Sequence, residues 1–130
     1  MVVKTISVIM SVYNDENNVA NAIQSILDQT FDDFEFLIID DCSTDNTYEE
    51  MTKFLNDSRV KLYVNEENIG LTKSLNKLIE ESSGKYIFRQ DSDDISFHNR
   101  LDEQIKILET KDVKTCTTRA IDINNNKIIP

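Results

Sequence analysis

The 130-residue chain carries 14 Lys plus Arg against 24 Asp plus Glu, a formal net charge of −10. That balance excludes a nucleic-acid backbone as the main partner, and any anionic ligand must be received by a local device because the overall field repels it. A single domain spanning 1–130 with a real core is expected, and two cysteines are too few for a disulfide framework or a cysteine zinc site, so a reducing cytoplasm is the predicted setting.

Ile6 to Val12 is short, β-branched and nearly continuous, the pattern of a buried strand. Val19, Ala22, Ile23, Ile26 and Leu27 recur at helical spacing, with Asp15 or Asn17 as the predicted cap. Phe34 to Ile39 reads as a second strand ending at Asp40-Asp41. Thr47-Tyr48-Glu49-Glu50 has capping-box spacing, and Tyr48, Met51 and Leu55 continue one helical face. Val60 to Val64 alternates as a third strand nearer the sheet edge. Leu71, Leu75, Leu78 and Ile79 define a third helix, stopped at Ser82-Ser83-Gly84.

Tyr86 to Phe88 is the fourth strand, and Leu101, Ile105 and Leu108 mark a fourth helix. Val113 to Thr118 is predicted as a fifth strand. Ile121-Asp122-Ile123 and Lys127-Ile128-Ile129 flank the turn-forming Asn124-Asn125-Asn126, which would close a hairpin. No apolar run approaches a membrane span, and the N-terminus lacks a signal-peptide layout. Strands alternating with helices predict an α/β fold with a mainly parallel sheet. With a Rossmann-like order 3-2-1-4, a crevice opens between strands one and four. Ser11 to Asn14, Asp40-Asp41 and Asp91 to Asp94 would then line it, all at strand carboxyl ends.

Asp91-Ser92-Asp93-Asp94 places three carboxylates in four residues directly after a strand. Crowded carboxylates raise one another's pKa unless a cation joins them. Hard oxygen ligands suit Mg²⁺ or Mn²⁺, and such an ion suits a diphosphate. The first strand–helix loop, Tyr13 to Asn18, holds no glycine and two acids. Neither a dinucleotide-type turn nor a P-loop can be built from it, so a nucleotide diphosphate here would need a divalent bridge.

Six segments in order then make the chain recognisable. They are Val8 to Asn14, Ser25 to Phe31, Ile38 to Asp45, Asn68-Ile69-Gly70, Gly84 to Ile87 and Asp91 to Asp94. Together they resemble the N-terminal part of a family 2 glycosyltransferase of the GT-A fold, over Ile6 to about Leu108. The resemblance implies a three-layer α/β/α sandwich, truncated on its C-terminal side, that binds a nucleotide-sugar donor, in the first instance a UDP-sugar. It implies that Ser11 and Tyr13 contact the base, and that Asp41 accepts from the base imide with Asp40 supporting the loop. Asp91 and Asp93 would be the acids of an Asp-x-Asp motif, with Asp91 near the ribose or a metal-bound water and Asp93 on Mg²⁺ or Mn²⁺. Lys73 would be an additional phosphate or base partner. Ser11 stands where such proteins often carry proline.

By the same resemblance, inverting transfer to a glycan or lipid-linked acceptor would need a base from a region beyond this chain, so no catalytic residue is assigned. Work at the inner face of the cytoplasmic membrane and self-association through surface exposed by the truncation are further expectations. Two other function classes compete. A non-catalytic nucleotide-sugar-binding module would share the donor residues without turnover. A signalling receiver domain requires an acidic pair after strand one and a lone aspartate after strand three, and the acids here are placed elsewhere. Plainer roles also stand beside the functional ones: Asp40-Asp41 as a turn, Asp45 as a helix cap, Tyr13 as a core aromatic, His98 as a solvated residue in the first turn of helix four, Cys42 as a loop thiol and Cys116 as a buried strand residue.

Overall fold

The computed structural model describes residues 4–129. Four parallel strands, β1 (Ile6–Val12), β2 (Phe34–Asp40), β3 (Val60–Val64) and β4 (Tyr86–Arg89), form one sheet in the order β3-β2-β1-β4. The helices are α1 (Val19–Leu27), α2 (Thr47–Thr52), α3 (Leu71–Glu81) and α4 (Arg100–Thr110). A separate antiparallel hairpin pairs β5 (Ala120–Asp122) with β6 (Lys127–Ile129). The α/β class, the strand order and the hairpin agree with the sequence reading.

The central strands are buried on both faces, which is why β1 and β2 read as continuous apolar runs rather than alternating ones. On one face Ile6, Val8, Met10, Phe34, Phe36 and Ile38 pack with Val19, Ile23 and Ile26 of α1 and Leu101 and Ile105 of α4. On the other, Ile9, Leu37 and Ile39 meet Leu78 of α3. Ser7 and Glu35, paired in register, share that second face and are buried.

Several local expectations give way. Val113 to Thr118 is not a strand. It faces the free edge of β4 across a groove of about 610 Å³ with no ladder bonds, and Gln104 Nε2 reaches the Cys116 carbonyl at 3.3 Å. A β-prone run becomes a strand only where a partner edge lies within about 5 Å. Cys116 is accordingly half-buried rather than a buried strand residue. The cap position of α1 is Asn18, whose side chain donates to Asp15 Oδ1 at 2.6 Å rather than capping a helix amide, while Asp15 Oδ2 accepts from Ser92. Thr47 lies inside α2 behind Asn46, and its hydroxyl bonds Asp45, so the predicted capping box does not form. Tyr48 and Leu55 are exposed, and α2 buries Thr47 and Met51 instead. His98 is exposed just ahead of α4 rather than in its first turn.

The α3–β4 turn is anchored on β1. Gly84 donates its N–H to Ser7 Oγ at 2.8 Å, and a Cβ on Gly84 would lie 2.4 Å from the Ser7 nitrogen and 2.7 Å from the Ile6 carbonyl carbon. Both are backbone atoms that no rotamer change can move aside. Gly84→Ala is expected to destabilise the fold by about 2–3 kcal/mol. A lowered urea midpoint at unchanged m-value would report it, and an unchanged midpoint would mean that β4 can shift away from β1 freely.

Candidate active site

A crevice of about 380 Å³ opens where β1 and β4 end. It is lined by Ser11, Tyr13, Asn14, Asp15 and Asn18, by Leu71 of α3, and by Arg89, Asp91, Ser92 and Asp93. The switch point at which the strand order reverses puts these chain segments side by side. Of the residues singled out from the sequence, Ser11, Tyr13, Asp91 and Asp93 meet here. Tyr13 is 50% exposed, so the core reading of its ring fails. Asp40, Asp41 and Lys73 do not line the crevice.

The β1–α1 loop is laced to the β2–α2 loop. Asn14, Asp15 and Glu16 donate their backbone N–H groups to Ser43 Oγ (3.0 Å), Thr47 Oγ1 (2.8 Å) and Asp45 Oδ2 (3.4 Å). In return Asn14 Oδ1 accepts from Thr44 N at 2.7 Å, and Glu16 Oε2 accepts from Asn46 N at 2.9 Å. Asn14 adopts φ 48°, a conformation asparagine tolerates better than most residues. Asp45 also accepts from Thr47 N at 2.9 Å, bonding the first amide of α2 from one residue ahead of the Asn46 cap position. The consequence is chemical. The three amides that a phosphate-binding loop would present are already engaged.

The acidic loop is braced from beneath. Gln90 is 2% exposed, and its Nε2 donates to the carbonyls of Asp91 (3.1 Å) and Asp94 (2.8 Å), while its Oε1 accepts from Ser96 Oγ at 2.7 Å. Ser92 Oγ donates to Asp15 Oδ2 at 2.6 Å and ties this loop to the β1–α1 loop across the crevice. Arg89 Nε donates to Asp91 Oδ1 at 2.9 Å, and Nη2 stands 2.8 Å from the same oxygen. With both side chains about half exposed, that pair is worth at most about 1 kcal/mol. Burial, with the charges of Asp93 and Asp91 adding to it, pushes the Asp94 carboxyl above its ordinary value, as expected for crowded acids.

Asp91 Oδ2 and the Asp93 carboxylate accept no hydrogen bond from the described residues, and both side chains line the crevice. Among the described residues no group of three His, Cys, Asp or Glu surrounds one point. The two free carboxylate groups are too few for an all-protein cage, and any hard cation here would need further oxygen ligands from outside the chain.

Asp41 has a different setting. It is 2% exposed, its Oδ1 accepts from Asn65 Nδ2 (2.8 Å) and Ile69 N (2.9 Å), and its Oδ2 accepts from Gly70 N (2.8 Å). Burial alone would raise its pKa, but these bonds outweigh it and hold the carboxyl below its ordinary value. Asp41 thereby fixes the Ile69-Gly70 turn, where Gly70 has φ 85°, and the turn delivers Leu71 to the crevice wall. Asp40 is 3% exposed, and its Oδ1 accepts from Ser43 N at 3.2 Å. Lys73 is exposed on the first turn of α3.

Sequence comparison meets this geometry. The profile described as Glycosyl transferase family 2 matches residues 7–130. The chain belongs to that family. The putatively assigned glycosyltransferase EpsE of Bacillus subtilis is 42% identical over 106 residues, covering 80% of this chain and 38% of EpsE. WfgD of Escherichia coli, named as a UDP-Glc:α-D-GlcNAc-diphosphoundecaprenol β-1,3-glucosyltransferase, is 37% identical over 124 residues, covering 95% of this chain and 49% of WfgD. The chain thus spans less than half of either relative. The crystal structure of Staphylococcus aureus TarS 1-349 with UDP superposes with a TM-score of 0.75 at 30% identity, over 81% of this chain and 32% of that 1-349 chain. The family 2 fold here is the GT-A type shared with TarS.

Sequence reasoning put Asn14 and Ser92 on the crevice without their roles as loop ties, and it missed Arg89 and Gln90. The Arg89-x-Asp91 spacing was a usable signal, since alternate residues of an extended segment project to the same side.

Proposed function

We propose that this chain is the donor-binding part of a glycosyltransferase that takes a nucleotide-diphospho-sugar, with UDP as the nucleotide. The observation that carries the reading is the crevice itself: a half-exposed Tyr13 beside Ser11 at one wall and, at the other, Asp91 Oδ2 and the Asp93 carboxylate, which accept no hydrogen bond from the described residues. The UDP complex of TarS supports the choice of nucleotide. In this reading the Tyr13 ring packs on the base and Ser11 hydrogen-bonds it, while Leu71 closes the apolar side. Asp40 and Asp41 act behind the wall, Asp41 through the Ile69-Gly70 turn, and Lys73 flanks the rim.

Asp93, with Asp91, would hold Mn²⁺ or Mg²⁺. Such an ion, when bound, supplies Lewis-acid stabilisation of the departing nucleoside diphosphate. Ser92 and Gln90 keep those carboxylates in place through the bonds to Asp15 and to the loop carbonyls. For the parent protein the reading extends to inverting transfer onto a glycan or lipid-linked acceptor in envelope polysaccharide synthesis, at the cytoplasmic face of the membrane. The names of WfgD and of the teichuronic acid glycosyltransferase TuaG support it. No helix among the described residues is long and apolar enough to cross a membrane.

Calorimetric titration of UDP with Mn²⁺, repeated in EDTA and on Asp93→Ala, tests the donor site. Binding is expected with Mn²⁺ and at least tenfold weaker in EDTA or in the variant. Equal binding in all three would remove the metal from the reading, and no binding by folded protein would remove the nucleotide site.

A further inference from the structure

We infer that Arg89 is the crevice's own receptor for the diphosphate, and that its pairing with Asp91 is the ligand-free resting arrangement. The inference rests on the donor-site reading above and adds to it a residue that carries the anion independently of a metal.

The first observation is one of charge. In a chain of net charge −10, the described residues lining the crevice include Asp15, Asp91 and Asp93 and a single cation, Arg89. A diphosphate entering this space meets three carboxylates, and one guanidinium has to offset them locally. The second is the absence of a competing device. The amides of Asn14, Asp15 and Glu16 are bonded to side chains of the neighbouring loop, and among the described residues no other Lys or Arg reaches the lining.

The third observation is how Arg89 is held. Its backbone is fixed as the last residue of β4, and its carbonyl accepts from Arg100 Nη1 at 3.2 Å. Its side chain, by contrast, is half exposed and rests on one oxygen of Asp91 only. A guanidinium presents five N–H donors in a planar fork. The contacts to Asp91 engage Nε and Nη2, so Nη1 remains free of protein partners among the described residues. The fork matches two phosphate oxygens as well as it matches a carboxylate. Swinging from Asp91 to a diphosphate exchanges a weak exposed pair for a doubly charged partner, and it frees Asp91 Oδ1 at the moment a divalent ion and the nucleotide arrive together. Arg89 therefore discriminates nucleotide from nucleoside.

The experiment compares UDP and uridine as probes by calorimetry in Mn²⁺ on the wild-type chain, Arg89→Gln and Arg89→Lys. Arg89→Gln is expected to weaken UDP about tenfold or more and to leave uridine unchanged. Arg89→Lys, which keeps the charge but loses the fork, should fall between. Unchanged UDP affinity in Arg89→Gln would overturn the assignment, as would an equal loss for uridine, which would mark a structural role. Wild-type protein that binds neither probe would overturn the donor-site reading and this inference with it. Wild-type UDP binding with an indifferent Arg89→Gln overturns this inference alone.

Discussion

Replacing Glu35 with alanine is expected to cost about 3 kcal/mol, a large share of the stability of a domain of this size. Glu35 is a carboxylate on a central strand, 3% exposed, and it gathers four donors. Oε1 accepts from Ser7 Oγ (2.6 Å), Ser83 N (2.7 Å) and Ser83 Oγ (2.9 Å), and Oε2 accepts from Lys61 Nζ (2.7 Å). Because Ser7 Oγ in turn accepts from Gly84, this one group joins β1, β2, β3 and the α3–β4 turn. Alanine would leave the buried Ser7 hydroxyl without its acceptor and remove the acceptor of half-buried Ser83, which is the costly part of the change.

The same residue sets an acid limb. Burial alone would raise the Glu35 pKa, yet the bonds from Lys61, Ser7 and Ser83 overcome it and hold the carboxyl at about 2 against an ordinary 4.5. The folded value is depressed, so the contribution is complete above the unfolded value and drains away as pH falls from about 5 to about 2. The shift corresponds to about 3 kcal/mol over that window. Urea denaturation at stepped pH should show stability falling through it, with the fall reduced in Glu35→Gln. An equally steep limb in Glu35→Gln would assign the acid sensitivity to other carboxylates, such as Asp33 and Asp41, whose values are also lowered.

Glu35 also marks the limit of what was legible beforehand. The central strands were legible as apolar runs, because a strand covered on both faces is apolar nearly throughout, and Phe34 to Ile39 satisfies that despite its one acid; their 3-2-1-4 order rested on the Rossmann-like pattern. Nothing in the run says that Glu35 is buried. That depends on Ser7 and Lys61, which are 28 and 26 residues away. Val113 to Thr118 failed for the complementary reason. Its residues suit a strand, but a strand is a pairing and no partner edge is close enough. At the crevice, residue type and strand-end position sufficed for Tyr13, Asp91 and Asp93. They did not suffice for Gln90, whose role is to satisfy carbonyls of a loop whose shape only the fold reveals.

Asp41 is where fold and site are hardest to separate, and Asp41→Ala is expected to affect both. The sequence resemblance gives Asp41 a direct bond to a base, whereas the folded chain has its oxygens on Asn65, Ile69 and Gly70. A residue that acted only through a ligand contact would lower UDP affinity and leave the apo protein as stable as before. A residue that anchors the 69–70 turn must lower stability first, by about 3 kcal/mol for three orphaned donors in a buried setting. It should then weaken UDP by tenfold or more, as Leu71 and the α3 start lose their register against Tyr13. Denaturation of the apo protein and calorimetry on the same variant separate the two. Lost affinity at full stability would return Asp41 to the base, and lost stability with affinity retained in the folded fraction would make it purely structural. The expected joint loss has a simple origin. The buried carboxylate just past β2 is the acceptor for the turn that starts α3 and carries Leu71 to the crevice wall, so the sheet and the site depend on one buried charge.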